Sequence, residues 1–521
     1  MTRFGRFFVN GIILTVVSLL IRGISVVFNV YVSNKIGAEG IGLYTLITTV
    51  YGFALTLATS GINLATTRLV SEALGKIDDE KSSKIRCIVN RCVTYSLAFS
   101  IATALILYTF SESIGIYILR DIRTVRSLRI LALTLPPISV CSALGGYFTA
   151  VRRVYKNACV QIFGQLIRIF ATVGLFTVLF SFDTESACIA LVVGGAVSEV
   201  ISFLIQWILY AYERRSANKE KCEKEYRNDV TKKLLGIALP VALSAYVRSA
   251  LITIEHILIP IGLEKSGNDK GAALASYGTV HSMVFPLVLF PSAILSSFAG
   301  LLVPEVSESN AREDKARIDR IVSRVMRSAL IFSVGVAGIV GCFAYDLGAV
   351  IYPNADAGRY IRMIAPLIPV MYIDSSVDAI LKGLGEQVYC MGVNILDSAL
   401  SVVLVVLLIP RYGILGYIIT VYFTELINAT LSITRLLSLS NVKPRIWGWV
   451  GKPLLSIIGA TFVIKLFFSD KNIFFVSDAF MLVSYIVLSL AIYVLFLFVI
   501  GAVKPSQVEN YKIYIKNGLS R

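Results

Sequence analysis

The sequence predicts an all-α integral membrane protein with about fourteen transmembrane helices, and three observations carry that prediction. The 521-residue chain is 56% hydrophobic and only 16% charged, whereas about a quarter of the residues in a soluble globular protein are charged. Apolar runs of about 18 or more residues recur along the chain, and each can cross about 30 Å of hydrocarbon. These runs are continuous, which favours helices over the shorter alternating segments of a membrane barrel.

The predicted spans follow one another through short connections, none of which is long enough to hold a separate soluble domain. Each span is expected to be helical because a backbone inside lipid must satisfy its own hydrogen bonds. The spans are residues 7–32, 41–66, 87–109, 128–151, 157–181, 185–212, 235–262, 272–303, 325–352, 360–383, 387–409, 413–437, 448–468 and 479–502.

A weak internal repeat divides the chain into two halves. Gly11 and Gly37 recur at a constant offset of 225 residues, as Gly236 and Gly262. Pseudo-symmetric halves are typical of secondary transporters, whose substrate site lies near the midplane between the halves. We predict an N-terminal six-helix lobe (1–212), a basic cytoplasmic linker (213–234), a C-terminal six-helix lobe (235–440), and two final helices with a cytoplasmic tail (441–521).

The distribution of basic residues predicts the orientation. The connections on the N-terminal side of the bundle, with the adjoining helix ends, carry 34 Lys and Arg residues, and those on the opposite side carry 11. The positive-inside rule therefore predicts that both termini are cytoplasmic. This bias also accounts for the net charge of +16. Because the basic residues lie in short connections between helices, we expect no nucleic-acid partner.

The first span carries an arginine inside a polar stripe. An ionisable side chain at the centre of a membrane costs at least about 2.5 kcal/mol, so it normally faces a cavity or a partner. The stripe members lie three or four residues apart: Ser18, Arg22, Ser25, Asn29 and Ser33. Bonding between helices would explain the serines and the asparagine. It does not require an arginine, so we predict that Arg22 lines a cavity.

Two more spans carry buried arginines. On the fifth span, Gln165 and Arg168 share one helix face, and on the seventh span Arg248 and Glu255 do. Cavity lining and a structural bond between helices both remain open for Arg168. Glu255 could pair with Arg248 or face a different partner, and the neighbouring His256 suits either a proton relay or a structural hydrogen bond.

The C-terminal half is richer in intramembrane acids, namely Asp374, Asp378, Asp397 and Glu425. Asn394 lies three residues before Asp397 on the eleventh span. Oxygen ligands of this kind suit a monovalent cation or a proton, so Glu255, Asn394 and Asp397 are our candidates for ion coupling. The alternative is local pairing, for example of Asp378 with Lys382.

The motifs of soluble enzymes are absent from the sequence. It contains no Walker loop, no HExxH, no GxSxG and no dinucleotide fingerprint in its proper context. We therefore predict a transporter without covalent chemistry, without a cofactor and without a firmly predicted metal site. Its energy source is expected to be a Na⁺ gradient, an H⁺ gradient or the membrane potential.

Two segments resemble a known family of exporters. Residues 35–44, KIGAEGIGLY, and residues 146–169, GYFTAVRRVYKNACVQIFGQLIRI, are similar to the polysaccharide-export branch of the multidrug/oligosaccharidyl-lipid/polysaccharide exporter superfamily. The resemblance covers the whole chain, and it is strongest to the members linked to sporulation and to lipid II flipping. It implies the six, six and two helix arrangement of this superfamily in the cytoplasmic membrane.

The resemblance also implies a substrate and a mechanism. The substrate would be a peptidoglycan or polysaccharide precursor linked to undecaprenyl pyrophosphate, translocated by alternating access. A basic cavity with Arg22, Arg168 and Arg248, together with Ser18, Ser25, Asn29 and Gln165, would bind the head group, and a groove by the last two helices would hold the lipid tail. One departure is that Gly164-Gln165 stands where Glu-Gln is expected, which puts ion coupling by the fifth span in doubt.

Two alternatives are left open by the sequence. The first is a cation-coupled multidrug antiporter of the same superfamily, which would need carboxylates in its N-terminal lobe, where the sequence offers Glu199. The second is a membrane scaffold without transport activity that recruits cell-wall synthesis enzymes as partners. Arginines buried in the membrane argue against a scaffold.

Overall fold

The computed structural model describes residues 3–76, 83–178, 183–214, 224–352, 354–467 and 478–502, with side chains left undescribed at 3–19 and at a few positions inside helices. Helices account for nearly all of this part of the chain. They are α1 (Arg3–Thr59), α2 (Ile62–Lys76), α3 (Ser83–Ser113), α4 (Thr124–Ala150), α5 (Val154–Val178), α6 (Thr184–Glu213), α7 (Lys224–Lys265), α8 (Lys270–Gly278), α9 (Phe285–Leu289), α10 (Ser292–Ala311), α11 (Lys315–Cys342), α12 (Ala344–Ile351), α13 (Ala355–Ile364), α14 (Ile368–Gly383), α15 (Gln387–Tyr412), α16 (Ile414–Leu439), α17 (Lys452–Phe467) and α18 (Asp478–Val499).

Thirteen segments in the described residues are long and apolar enough to cross a membrane. The first of them, Leu20–Leu74, is 55 residues long, which corresponds to about 80 Å of helix and therefore to two crossings. Gly37 interrupts α1 with non-helical torsions (φ 75°, ψ 175°), between the first two predicted spans. The thirteen segments thus account for all fourteen predicted spans, and the prediction of an all-helical membrane protein is confirmed.

The predicted eighth and tenth spans are interrupted rather than continuous. Between α8 and α10 the chain passes through a π-helical turn, Thr279–Val284, and the short helix α9. A 3-10 turn, Ala365–Leu367, separates α13 from α14. Proline explains these breaks, because it lacks a backbone N–H and its ring clashes with the preceding turn. At the first break, Pro286 lies at the start of α9 and Pro291 directly before α10. At the second, Pro366 lies in the 3-10 turn and Pro369 at the start of α14.

Packing divides the chain into two compact units. We call Met1–Lys35 with Thr279–Arg521 the split unit, and Ile36–Gly278 the middle unit. The predicted lobes, 1–212 and 235–440, have different limits and stay a prediction. The predicted linker is helical from Lys224 onward, where α7 begins, and residues 215–223 of it lie outside the described residues.

Each unit has its own apolar core. In the middle unit, α2, α3, α4 and α7 bury side chains such as Ile88, Leu144 and Leu234. In the split unit, α10, α11, α14 and α16 bury side chains such as Val322 and Ile380. Such cores are closely packed and therefore rigid. The polar residues on the same helices are thus held at fixed positions within each unit.

Candidate functional site

Arg22 binds the interrupted segment of the split unit. Its Nη2 donates to the carbonyl oxygen of Leu289 at 3.0 Å and lies 3.4 Å from Oγ of Ser292. Two turns further along α1, on the same face, Asn29 donates from Nδ2 to the carbonyl oxygen of Ser282 at 2.7 Å. The polar stripe of α1 therefore faces the backbone around α9.

The break in the helix is what makes these acceptors available. α9 ends at Leu289, and the N–H of Ala293, which would bond to Leu289 in a continuous helix, bonds to Phe290 instead. The carbonyl of Leu289 is then left for side chains, and it accepts from Ser292 at 2.6 Å as well as from Arg22. Orphan carbonyls at a helix end commonly find such partners.

The other predicted members of the stripe have local roles or fewer contacts. Ser25 donates to the carbonyl of Ile21 on its own helix at 2.8 Å. Ser33 is buried, and its hydroxyl has no hydrogen-bond partner in the part of the chain that is described. The side chain of Ser18 lies outside the described residues. Among the stripe residues whose side chains are described, Arg22 and Asn29 thus bond to a second element.

Arg168 belongs to the middle unit. Its Nη2 donates to the hydroxyl of Tyr44 on α1 at 2.8 Å, while its buried Nε has no partner among the described residues. Glu199 on α6 is half-buried and interacts with the guanidinium electrostatically. Gln165, one turn before Arg168, is also half-buried. Sequence analysis noted Glu199 but did not pair it with Arg168, although an acid inside an apolar span was the available signal.

Arg248 is exposed on α7, and its neighbours on either side hold the helix in place. Tyr246 donates to the carbonyl of Leu57 at 3.1 Å, and Ser249 bonds to Oγ1 of Thr56 at 3.2 Å. Arg22 lies in the split unit, whereas Arg168 and Arg248 lie in the middle unit. Their predicted meeting in one cavity therefore stays a prediction.

Glu255 and His256 lie two turns after Arg248. Nδ1 of His256 is 2.8 Å from the hydroxyl of the fully buried Tyr277 on α8. Glu255 is half-buried and interacts electrostatically with Tyr277. The structural hydrogen bond, one of the two roles left open for His256, is therefore present.

The acids of the split unit form a group on α14, α15 and α16. Asp374, Asp397 and Glu425 are close enough for their carboxyl groups to repel one another. Asn394 donates to the carbonyl of Cys390 on its own helix at 2.7 Å. Asp378 pairs with Lys382 at 3.3 Å, which is the local pairing that the sequence offered as the alternative to ion binding. No set of three or more His, Cys, Asp or Glu residues in the described ranges could hold a metal ion.

An apolar groove runs along α11 and α17 in the split unit. Its volume is about 960 Å³, and α13, α14 and α16 complete its walls. Gly338 lets α17 pack closely against α11, since a Cβ at this position would lie 2.3 Å from Ile457. Arg362 is the one charged residue in the described lining, which also includes Trp449. The first of the last two membrane helices thus borders a groove suited to a hydrocarbon chain.

Sequence analysis missed an ionic network in the connections of the middle unit. Arg123 forms paired bonds with Asp121 and a bond to Glu39 at 3.0 Å, and Lys270 binds Asp121 at 3.0 Å. Burial acts to raise the pKa of Asp121, but the hydrogen bonds from Arg123 and Lys270 outweigh it and hold this pKa below its ordinary value. The four residues join three separate connections, so no local pattern reveals them.

The arrangement of membrane-length helices and interrupted spans, with arginines inside several spans, is that of a multi-pass membrane transporter. A family model for "Polysaccharide biosynthesis protein" matches residues 7–310. The chain belongs to this family. It is 25% identical over 516 residues to stage V sporulation protein B of Bacillus subtilis (strain 168), covering 97% of this chain and 98% of that protein. Sporulation protein YkvU of the same organism is 22% identical over 384 residues, covering 73% and 83%.

Solved structures share the fold. The lipid II flippase MurJ in an inward closed conformation matches with a TM-score of 0.69 and 14% identity, covering 93% of this chain and 98% of that one. An inward-facing multidrug resistance MATE family transporter of the MOP superfamily matches with a TM-score of 0.59 and 14% identity, covering 82% of this chain and all of that one. The predicted resemblance to the polysaccharide family is confirmed by the family model, and the predicted fold by the solved structures.

Proposed function

We propose that this transporter is a flippase for a lipid-linked saccharide. The substrate would be a peptidoglycan or polysaccharide precursor attached to undecaprenyl pyrophosphate, carried across the cytoplasmic membrane by alternating access. Stage V sporulation protein B and the lipid II flippase MurJ are the relatives that suggest this substrate class. The family and the fold agree with it, and the binding chemistry is argued from the residues below.

The observation that carries the proposal is that the groups bonded to the Arg22 guanidinium are uncharged. Its acceptors are a carbonyl oxygen and a hydroxyl, both of which are neutral. The positive charge of a permanently ionised guanidinium is therefore not cancelled by either of these contacts. A pyrophosphate offers the paired, charge-assisted hydrogen bonds that a guanidinium forms best. Arg248, exposed on α7, is the second candidate for the same head group.

The groove in the split unit supports a lipid-linked substrate rather than a soluble anion. Its lining is apolar apart from Arg362 and two threonines, so it can take a hydrocarbon chain without leaving buried polar groups unpaired. A prenyl tail held there would remain in an apolar environment while the head group crosses. In this proposal the polar site on α1 binds the head group, and the apolar groove along α11 and α17 holds the lipid tail.

Coupling to an ion is proposed for the acids of the split unit. Asp397, with Asp374 and Glu425 beside it, gives a concentration of negative charge that an added proton or monovalent cation would relieve. Asn394 supports the helix locally, through Cys390. Glu255 is the corresponding candidate in the middle unit.

The test is transport in vesicles that contain purified protein and a fluorescent undecaprenyl-diphosphate saccharide. Reduction of the label by external dithionite reports the fraction of head groups outside. The wild type should move the label, and Arg22→Ala together with Arg248→Ala should abolish movement while the protein remains folded. Arg68→Ala is the matched control, because Arg68 is an exposed partner of Glu72 on α2.

A second arm uses cells depleted of their own lipid II flippase, which the wild type should rescue and the double variant should not. Head-group movement at the wild-type rate by the double variant would contradict the arginine site. Efflux of cationic drugs without movement of the lipid would instead favour the multidrug antiporter. Binding of cell-wall enzymes without either activity would favour the scaffold.

A further inference from the structure

Arg168 is the centre of a polar cluster inside the middle unit, which we call the Arg168 cluster. Its members are Tyr44, Tyr51, Thr134, Arg168 and Glu199. Arg168 donates to Tyr44, and the hydroxyl of Tyr51 lies 2.7 Å from Oγ1 of Thr134. Tyr51 interacts electrostatically with both Glu199 and Arg168. One cation and one carboxyl group therefore share a cluster whose other members are neutral.

Packing explains why the carboxyl group comes from α6 and not from α5. A Cβ at Gly164 would lie 2.5 Å from Oγ of Ser202, and Ser198 donates to the carbonyl of Gly164 at 2.7 Å. The close approach of the two helices leaves no room for a glutamate at position 164. Glu199 follows Ser198 directly, so the same contact that excludes an acid from α5 sets Glu199 on α6 near Arg168.

The hydrogen-bond directions in the cluster can be worked out. Thr134 donates its one hydroxyl hydrogen to the carbonyl of Leu131 at 2.7 Å. Tyr51 must therefore donate to Thr134, and its own oxygen is left able to accept. A protonated Glu199 has this acceptor in its vicinity, while an ionised Glu199 has the Arg168 guanidinium as its counter-charge. Both protonation states of Glu199 thus have a stabilising neighbour.

We propose that Arg168 and Glu199 form a proton-linked charge switch, in which a diphosphate bound at Arg168 displaces the charge of Glu199. With Glu199 ionised, the two charges cancel. A diphosphate at Arg168 brings negative charge beside Glu199, and uptake of one proton by Glu199 removes the repulsion. The Nε of Arg168 is buried and has no partner in the described ranges, so the guanidinium retains an unused donor for an anion that enters the cluster.

The proton balance is simple. Binding takes one proton from solution onto a Glu199 carboxylate oxygen, and release of the diphosphate returns it. The titratable groups that face Glu199 from neighbouring helices are Arg168 on α5, Tyr51 on α1 and Cys141 on α4. By reciprocity, the factor by which protonation strengthens diphosphate binding equals the factor by which diphosphate strengthens proton binding. This switch rests on the proposed function, because it regulates one arginine of the same head-group site.

The test measures the affinity of purified protein for farnesyl diphosphate, a soluble isoprenoid diphosphate, between pH 5.5 and pH 8. The probe itself titrates in this range, so the comparison is between the wild type and Glu199→Gln, which meet the same probe. The dissociation constant of the wild type should rise with pH more steeply than that of Glu199→Gln, by up to about tenfold per pH unit for one linked proton. Glu112→Gln, which removes an exposed acid that binds Arg129 at 3.3 Å, should behave like the wild type.

Calorimetry in two buffers of different ionisation enthalpy counts the protons directly. It should show a higher proton uptake per bound probe for the wild type than for Glu199→Gln, and Glu199→Asp should retain the uptake. Binding with equal pH slopes and equal proton uptake in wild type and Glu199→Gln would overturn the switch while leaving the proposed function intact. Failure of the wild type to bind the probe at any pH would overturn both.

Discussion

The guanidinium of Arg22 and the carbonyl oxygen of Leu289 lie 3.0 Å apart, although 267 positions separate the two residues in the chain. The contact joins a positive charge in the first helix to the point where α9 ends. The guanidinium of Arg22 needs hydrogen-bond acceptors inside the membrane. The carbonyl oxygen of Leu289 loses its helical N–H donor where α9 ends, so the contact satisfies both groups. The head-group proposal therefore depends on whether Arg22 acts through its charge or only through this bond.

Substitution by glutamine separates these two roles. Arg22→Gln retains an N–H donor for Leu289 but loses the charge, so we expect loss of transport with a thermal midpoint within about 2 °C of the wild type. Arg22→Lys retains the charge but not the planar fork, so we expect partial transport. Dithionite accessibility in vesicles and thermal unfolding measure the two quantities. A purely structural role for Arg22 would give the reverse order, with more transport by the glutamine variant than by the lysine variant.

The ionic network predicts a change in stability. Asp121 has a side chain only 4% exposed and holds both Arg123 and Lys270. Asp121→Asn leaves these two cations without their shared counter-charge, and we expect a loss of about 2 kcal/mol, reduced from the range for buried pairs because the partners are partly exposed. Asp229→Asn is the control, since Asp229 and Lys233 form a solvent-exposed pair whose contribution to stability is small. Equal thermal midpoints for the two variants at pH 7 would contradict the network's role.

The same residue predicts a pH dependence with a definite sign. The pKa of Asp121 is lower in the folded protein than in the unfolded chain. Its contribution is therefore fully present at neutral pH, and it is lost as pH falls from the ordinary value near 4 through the lowered one. The difference in thermal midpoint between the wild type and Asp121→Asn should shrink below about pH 4. A difference that stays constant down to pH 3 would exclude this origin.

Sequence analysis predicted the elements well where hydropathy decides them, and poorly where distant residues meet. The length of apolar runs placed every span, because the thickness of the membrane fixes the length of a crossing helix. The breaks at Pro286 and Pro291 were visible only as prolines. Their consequence, a free carbonyl at Leu289 that receives Arg22, requires the fold.

The residues around Arg168 could also be predicted only in part from the sequence. Arg168 was identified because a charge inside an apolar run stands out, but its neighbour Glu199 lies 31 positions later on another helix. The link between them depends on the contact of Gly164 with Ser202, which depends on how α5 packs against α6. A missing glutamate at position 164 was recognised in the sequence, whereas its replacement on α6 could be recognised only in three dimensions.

The apolar groove predicts a dependence on the length of the lipid tail. A Cβ at Gly341 would lie 3.4 Å from that of Ala365, an ordinary contact, so Gly341→Leu should fold with a narrower groove. We expect slower movement of an undecaprenyl-linked label and unchanged binding of farnesyl diphosphate, whose tail is much shorter. Gly392→Leu on α15 is the control, because nothing lies within 4 Å of a Cβ there. Unchanged movement of the undecaprenyl-linked label in Gly341→Leu, or an equal loss in Gly392→Leu, would place the lipid tail elsewhere.

The acids of the split unit predict the nature of the coupling ion. Asp397, Asp374 and Glu425 bring three carboxyl groups close enough to interact electrostatically, and uptake of a proton relieves the repulsion between any two of them that are ionised. We therefore expect a proton gradient to drive transport in vesicles. Asp397→Asn should abolish the response to the proton gradient while leaving diphosphate affinity unchanged, because the head-group site that we propose lies at the arginines and not at these acids. Glu308→Gln, at an exposed pair with Arg312, should respond like the wild type. Acceleration by sodium at constant pH, lost in Asp397→Asn, would show that these acids bind a metal cation after all.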